Sequence, residues 1–229
     1  MIGIIGAMSV ETDELIGAMQ STEKSVFERF EFVVGKLHGK EIVVCRCGIG
    51  KVHAATAAAL MVNKYPQIDI LISIGVAGGL YPLVRQGDVV IANKTVYHDF
   101  DSTADGVEKG RVSGLDFTYF RCDEKSVALM EKIMAQLKVT SYTGTIATGD
   151  MFVGSDEKAA QIREEFGAYA CDMESAAIAQ TAYLTNRKFL SMRAISDNGD
   201  GSAIGDFYSF VTKAAKVSTN AIIKFVEAY

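Results

Sequence analysis

The residues with most to offer chemically are carboxylates at the ends of apolar or glycine-containing stretches. Phe189 to Asp197 (FLSMRAISD) is a mostly apolar run ending in Arg193, Ser196 and Asp197. Ligands of α/β proteins gather outside the carboxyl ends of strands, so this cluster is a candidate site. A carboxylate directly after a buried strand is costly unless something pairs with it. Arg193 is assigned to the opposite phase of the strand, which leaves Asp197 either paired structurally or available for acid–base work. Glu174 and Glu11 each fall in the first turn of an expected helix, where the macrodipole alone accounts for a negative charge. His98-Asp99 opens a long polar stretch and reads more simply as a solvated pair than as an acid–base pair. The glycines of Gly75 to Gly79 either let a ligand approach backbone N–H groups or make a tight strand-to-helix connection.

These residues need elements to position them. Ile2 to Ile5, closed by Gly6, is a short strand, and Val10, Leu15, Ile16 and Met19 follow at helical spacing. Val26 to Phe32 and Gly35 to Cys47 alternate or run apolar, with His38-Gly39-Lys40 as the turn between two antiparallel strands. Gly48-Ile49-Gly50 then leads into an Ala-rich helix from Lys51 to Asn63. Ile68 to Ile74 has the β-branched, nearly continuous apolar character of a central strand, and Asp88 to Tyr97 reads as another. Between His98 and Arg121 there is no clean period; such a loop is a lid, a partner contact or disordered. Helices are expected over Glu124 to Leu137, Asp156 to Phe166, Met173 to Asn186 with Asp172 as N-cap, and Asp206 to Val226. Strands near Tyr142 to Thr148, Tyr169 to Cys171 and Phe189 to Asp197 alternate with them. Alternating strands and helices imply an α/β fold in three layers, α/β/α, around a mostly parallel, open or partly closed mixed sheet with one hairpin near the start.

With 229 residues, 49% of them hydrophobic and 22% charged, the chain can bury one core, and a single domain over 1–229 is expected. A net charge of -5 argues against nucleic acid or an anionic membrane surface as partner. No apolar run approaches a membrane span, and the start turns acidic at Glu11, Asp13 and Glu14, so a cytoplasmic chain is expected. Cys45, Cys47, Cys122 and Cys171 show no CxxC spacing and read as free structural thiols, with no metal site.

Two nucleotide motifs fail. Gly3-Ile4-Ile5-Gly6 lacks the third glycine of a dinucleotide fingerprint, and a phosphate loop ending at Gly50-Lys51 would have Cys45 in place of its first glycine and Val52 in place of Ser or Thr. What remains resembles one family, in order and almost end to end. Gly3 to Met8 with Glu11, Gly48-Ile49-Gly50-Lys51, Gly75 to Leu80, Tyr97-His98-Asp99, Thr148-Gly149-Asp150 with Phe152, Asp172-Met173-Glu174 and Arg193-Ala194-Ile195-Ser196-Asp197 resemble the bacterial 5'-methylthioadenosine/S-adenosylhomocysteine nucleosidases of the nucleoside phosphorylase superfamily.

The resemblance implies a nucleoside phosphorylase-like fold and hydrolysis of the N-ribosidic bond of a 5'-substituted adenosine, with no cofactor and a small-molecule nucleoside as partner. It implies Asp197 as proton donor to N7, steadied by Ser196, with Phe152 stacked on the base and the Val153 backbone at its edge. It places Glu174 and the Met173 backbone on the ribose hydroxyls, Glu11 with Arg193 on the attacking water, and Met8, Ile49 and Phe207 around the 5' substituent. A homodimer is implied, with the 98–121 loop near the neighbouring 5' pocket. Three positions depart from the family: Val76 replaces a small hydroxyl residue, while Ser102 and Asp105 are polar where the family covers the 5' group with apolar side chains. The alternatives are a purine nucleoside phosphorylase and a non-catalytic nucleoside-binding protein; the former usually has arginines near the first strand, and here the first arginine is Arg29.

Overall fold

The computed structural model describes residues 1–229. β1 (Ile2–Gly6) is buried along its whole length and leads through Ala7 and Met8 into α1 (Ser9–Ala18). β2 (Gln20–Phe27), β3 (Phe30–Leu37) and β4 (Lys40–Arg46) form an antiparallel meander. α2 (Lys51–Lys64) buries Ala54, Ala57, Ala58 and Met61, a stripe at helical spacing whose small residues allow close packing. β5 (Ile70–Ser73), β6 (Val76–Gly79) and β7 (Val89–Tyr97) come next, and after one 3-10 turn at Thr103–Asp105 the short β8 (Phe120–Arg121) pairs back on β7. α3 (Glu124–Leu137) starts at Asp123, whose carboxylate accepts the Ser126 N–H. β9 (Ser141–Thr148), α4 (Asp156–Phe166), β10 (Ala168–Asp172), α5 (Ser175–Leu184), β11 (Lys188–Asp197) and α6 (Ala203–Ala228) complete the chain.

All strands join one sheet in the order β2-β3-β4-β1-β5-β11-β6-β10-β9-β7-β8. β11 also pairs with β7, so β11, β6, β10, β9 and β7 close into a ring while the other end stays open. The pairings β1–β4, β1–β5, β5–β11, β6–β11, β9–β10 and β7–β9 are parallel, which gives the mixed sheet its parallel majority. α1 and α3 pack on α6, and α2 packs on α5, so two groups of helices sandwich the sheet. One apolar cluster runs from Ile2 to Val226 and ties both ends of the chain into the same core. No helix is long and apolar enough to cross a membrane.

Three expectations are corrected. The hairpin is a three-stranded meander: a turn at Glu28, with φ of 55°, divides the stretch expected as one strand from Val26 to Phe32. β2 escaped notice because Gln20 to Lys24 is polar and wholly exposed, an edge strand with no apolar alternation. Gly75 to Gly79 is largely strand, since β6 inserts between β10 and β11. α5 begins at Ser175, so Glu174 is its N-cap residue and does not lie in the first turn. The 98–121 segment is described throughout, irregular but anchored by the β7–β8 pairing.

Candidate active site

A cleft opens past the carboxyl ends of β1, β10 and β11 and along β6. Ala7, Met8, Glu11, Ile49, Val76, Ala77, Gly78, Met151, Phe152, Val153, Cys171, Asp172, Met173, Glu174, Ser196, Asp197 and Phe207 line it, around about 570 Å³ of empty space with the solvent at its mouth included. Most of the lining is apolar, and three of its four carboxylates are those singled out from the sequence. A concave apolar site with a few convergent polar groups is the usual form of a small-molecule pocket.

Glu11 is held from two sides. Its Oε2 accepts the backbone N–H groups of Ala7 (2.8 Å) and Met8 (2.9 Å), as a residue in the third position of a helix does. Its Oε1 leaves the helix and accepts the Val76 N–H at 3.0 Å. Burial pushes its pKa up, against the charge of Arg193 and the three amides. Gly75, with φ of 150°, passes so close that a Cβ there would lie 2.5 Å from Oε1. At Val76 it is thus the backbone that engages the carboxylate, and the side chain contributes only apolar wall.

Glu174 receives one hydrogen bond, from the Gly50 N–H to Oε1 at 2.9 Å. Desolvation, then the nearby Asp172, pushes its pKa up to about 7, opposed by Arg193 and by the Gly50 amide. Asp172 is saturated with partners: Thr148 Oγ1 donates at 2.6 Å, the Ser175 N–H and hydroxyl donate, and Arg193 Nη2 stands 2.8 Å away. Arg193 is 1% exposed and does not line the cleft. Its Nη2 also donates to Ser73 Oγ at 2.8 Å and lies 3.9 Å from Glu174 Oε2, so the guanidinium sits behind the carboxylates.

Asp197 faces the other side of β11. Strict alternation would return residue 197 to the face of Arg193, but the β11–β6 register slips by one between Ile195 and Asp197. Ala194 and Asp197 oppose Val76 and Gly78, two residues of one face, so the extra residue turns Asp197 away from Arg193 as expected, for a reason that alternation does not contain. Asp197 Oδ2 accepts from Ser196 Oγ (2.8 Å) and Oδ1 from the Gly199 N–H (2.9 Å). Burial raises its pKa, and those two donors partly offset the effect.

Phe152 and Phe207 meet edge to face at the mouth, with centroids 5.8 Å apart, and Ile49 is exposed on the rim. His98 is not solvated: it is buried with neither ring nitrogen hydrogen-bonded, and burial lowers its pKa so that the neutral ring is favoured. Its neighbour Asp99 instead bonds Lys51 Nζ at 2.6 Å. Ser102 and Asp105 lie outside the cleft lining.

The phosphorylase superfamily model matches residues 1–227. A 5'-methylthioadenosine/S-adenosylhomocysteine nucleosidase of Staphylococcus aureus (strain MRSA252) is 37% identical over 223 residues, 97% of each chain. The chain belongs to this nucleosidase family within the phosphorylase superfamily. Solved structures of family members superpose over nearly the whole chain. The Neisseria meningitidis nucleosidase in complex with methylthio-immucillin-A gives a TM-score of 0.97 at 36% identity, covering 100% of this chain and 99% of the other. The Colwellia psychrerythraea nucleosidase in complex with adenine gives 0.94 at 32%, covering 98% and 93%.

Of the nucleosidase residues expected from sequence, Met8, Glu11, Ile49, Val76, Phe152, Val153, Met173, Glu174, Ser196, Asp197 and Phe207 converge on the cleft, and Arg193 stands behind it. Ala77 and Gly78, from the glycine stretch already noted, and Ala7, Met151 and Cys171, given no site role in advance, complete the lining. The larger omission is Asp172, expected only as a helix cap; a carboxylate ending a short apolar strand, like Asp197, was the available signal.

Proposed function

We propose that this chain hydrolyses the N-ribosidic bond of 5'-substituted adenosines, methylthioadenosine, S-adenosylhomocysteine and 5'-deoxyadenosine among them, to adenine and the 5'-substituted ribose. The observation that carries this reading is that Glu11 and Asp197, buried carboxyl groups from different elements, open onto one largely apolar cleft with Glu174. Cleavage through an oxocarbenium-like state needs an acid at the leaving group and a base for water. Asp197, its pKa raised by burial, delivers a proton to N7, so that adenine departs without an anionic charge; Ser196 and the Gly199 amide hold the carboxylate that results. Phe152 stacks on the base, and the Val153 backbone meets its edge.

Glu11, fixed by three amides, orients and deprotonates the water. Glu174 and the Met173 backbone take the ribose hydroxyls, and Met8, Ile49 and Phe207 surround the 5' group. Arg193 acts from behind as a positioning charge for Glu11 and Glu174. Phosphorolysis is disfavoured because no Lys or Arg lines the cleft, and phosphate would meet the field of Glu11 and Glu174.

Residues 1–229 act as one domain, and the single large core supports this. We further read the chain as a cytoplasmic enzyme of methionine salvage. A homodimer, with the 98–121 loop near the partner's 5' pocket, would cover the exposed Ile49 and Val52. The test is free base release from methylthioadenosine, S-adenosylhomocysteine, 5'-deoxyadenosine, adenosine and inosine, with and without phosphate. Adenine with free 5'-substituted ribose is expected from the 5'-substituted substrates. A sugar 1-phosphate would instead assign a phosphorylase, and ligand affinity without release a binding protein.

A further inference from the structure

Two neighbouring chain segments contribute to the cleft, Gly48 to Lys51 through Ile49, and Gly149 to Val153 through Met151, Phe152 and Val153. They are tied by a compact set of polar contacts away from the reacting atoms. Lys51 Nζ lies 2.6 Å from Asp99 Oδ2 and 3.7 Å from Asp150 Oδ2, and 5.5 Å over the Tyr97 ring. The same Asp99 oxygen accepts the Asp150 N–H at 2.8 Å, and Asp150 Oδ1 accepts the Lys51 N–H at 2.8 Å. The amide immediately before, that of Gly50, is the one that donates to Glu174. Gly50 has φ of 101°, and a Cβ there would come 3.1 Å from Asp150 Oδ1, so the backbone is drawn tightly against that carboxylate.

We propose that Lys51, Asp99 and Asp150 are a positioning clamp that holds the Gly50 N–H on the Glu174 carboxylate and so keeps Glu174 ready to accept the ribose hydroxyls. This rests on the nucleosidase reading above. The electrostatic surroundings of Glu174 explain why one amide matters. Asp172 from β10 and Glu11 from α1 oppose its ionised form, and the Cys47 thiol after β4 also faces it. Among its strongest influences, Arg193 from β11 and the Gly50 amide are the two that favour it. Arg193 is nearer to Asp172, at 2.8 Å, than to Glu174, at 3.9 Å, which leaves the Gly50 N–H as the hydrogen bond Glu174 has to itself. Asp99 stays charged within the clamp. Burial would raise its pKa, but the bonds from Lys51 and the Asp150 amide hold it below the usual range.

The test compares Asp150→Ala, Lys51→Met and the conservative Asp150→Asn, whose Oδ1 still accepts from the Lys51 N–H. The Glu174 carboxyl is titrated in the ligand-free protein by carbon NMR, with Glu174→Gln for assignment, so this readout survives even if no adenine is released and the nucleosidase reading falls. In Asp150→Ala the midpoint should rise by about one pH unit. KM for methylthioadenosine should rise about tenfold, while inhibition by adenine, which has no ribose, stays within about twofold. Lys51→Met should shift the same quantities in the same direction, and Asp150→Asn should restore them. An unmoved Glu174 midpoint in Asp150→Ala, or an equal loss of adenine and nucleoside affinity, overturns the clamp.

Discussion

Asp197 and Glu11 are both buried carboxyl groups with raised pKa, yet their partners set them to different work. Asp197 accepts one hydroxyl and one amide, and burial outweighs both in favour of the protonated form that the proposed acid requires. Glu11 has the charge of Arg193 nearby and accepts three amides, which together favour the charged form that the proposed base requires. Asp197→Asn and Glu11→Gln should each lower adenine release by roughly 10²–10⁴-fold, the usual worth of a positioned acid or base. Both should keep an unchanged circular dichroism spectrum, and Glu11→Gln should retain nucleoside affinity by calorimetry. Near-parental turnover in either would remove that residue from the mechanism.

At the scale of elements, Asp197, the proposed acid, and the buried Arg193 share one strand, and a single extra residue in the β11–β6 register sends them to opposite faces. The approach of β6 to α1 depends in turn on Gly75. Gly75→Ala would put a Cβ into the Glu11 carboxylate at a strained φ and should cost about 1–3 kcal/mol of stability as well as most of the hydrolysis. Gly17→Ala, in the last turn of α1 with nothing within 4 Å, should instead gain up to about 1 kcal/mol in thermal unfolding, which controls for glycine replacement as such. Helix positions and central strands were legible in the sequence because apolar periodicity reports burial. β2 was not, since an exposed edge strand has nothing to alternate. Of the cleft carboxylates, Asp197 was legible from its place after an apolar strand, while Glu11 and Glu174 stood out only through the family resemblance, because a carboxylate at a helix start has a sufficient structural reason to be there. Arg193 behind the wall and the Thr148–Asp172–Ser175 network were not, because their partners come together only when β9, β10 and β11 close the ring.

For the whole molecule, carrying these acids inside has a dependence on pH. Glu174 titrates near 4.5 when unfolded and near 7 in the fold, so below about 4.5 both states hold the proton and the full contribution is present. As pH rises toward 7 the unfolded chain releases its proton and the fold does not, so stability is lost, by at most on the order of 3 kcal/mol for this group. Glu11 and Asp197, also raised, act in the same direction. Melting temperatures of the parent and Glu174→Gln should therefore separate in favour of the variant between pH 5 and 7, and parallel curves would refute the assignment. The polar β2 bears on a different property of the molecule. The ring consumes the hydrogen-bonding capacity of its strands, which leaves β2 as the one long border where another polypeptide could add a strand. Because that border displays Gln20, Ser21, Thr22, Glu23 and Lys24 to water, with Val26 as its one strongly exposed apolar side chain, an incoming strand would find mainly solvated and charged groups, and the enzyme carries its own protection against fibrous self-association.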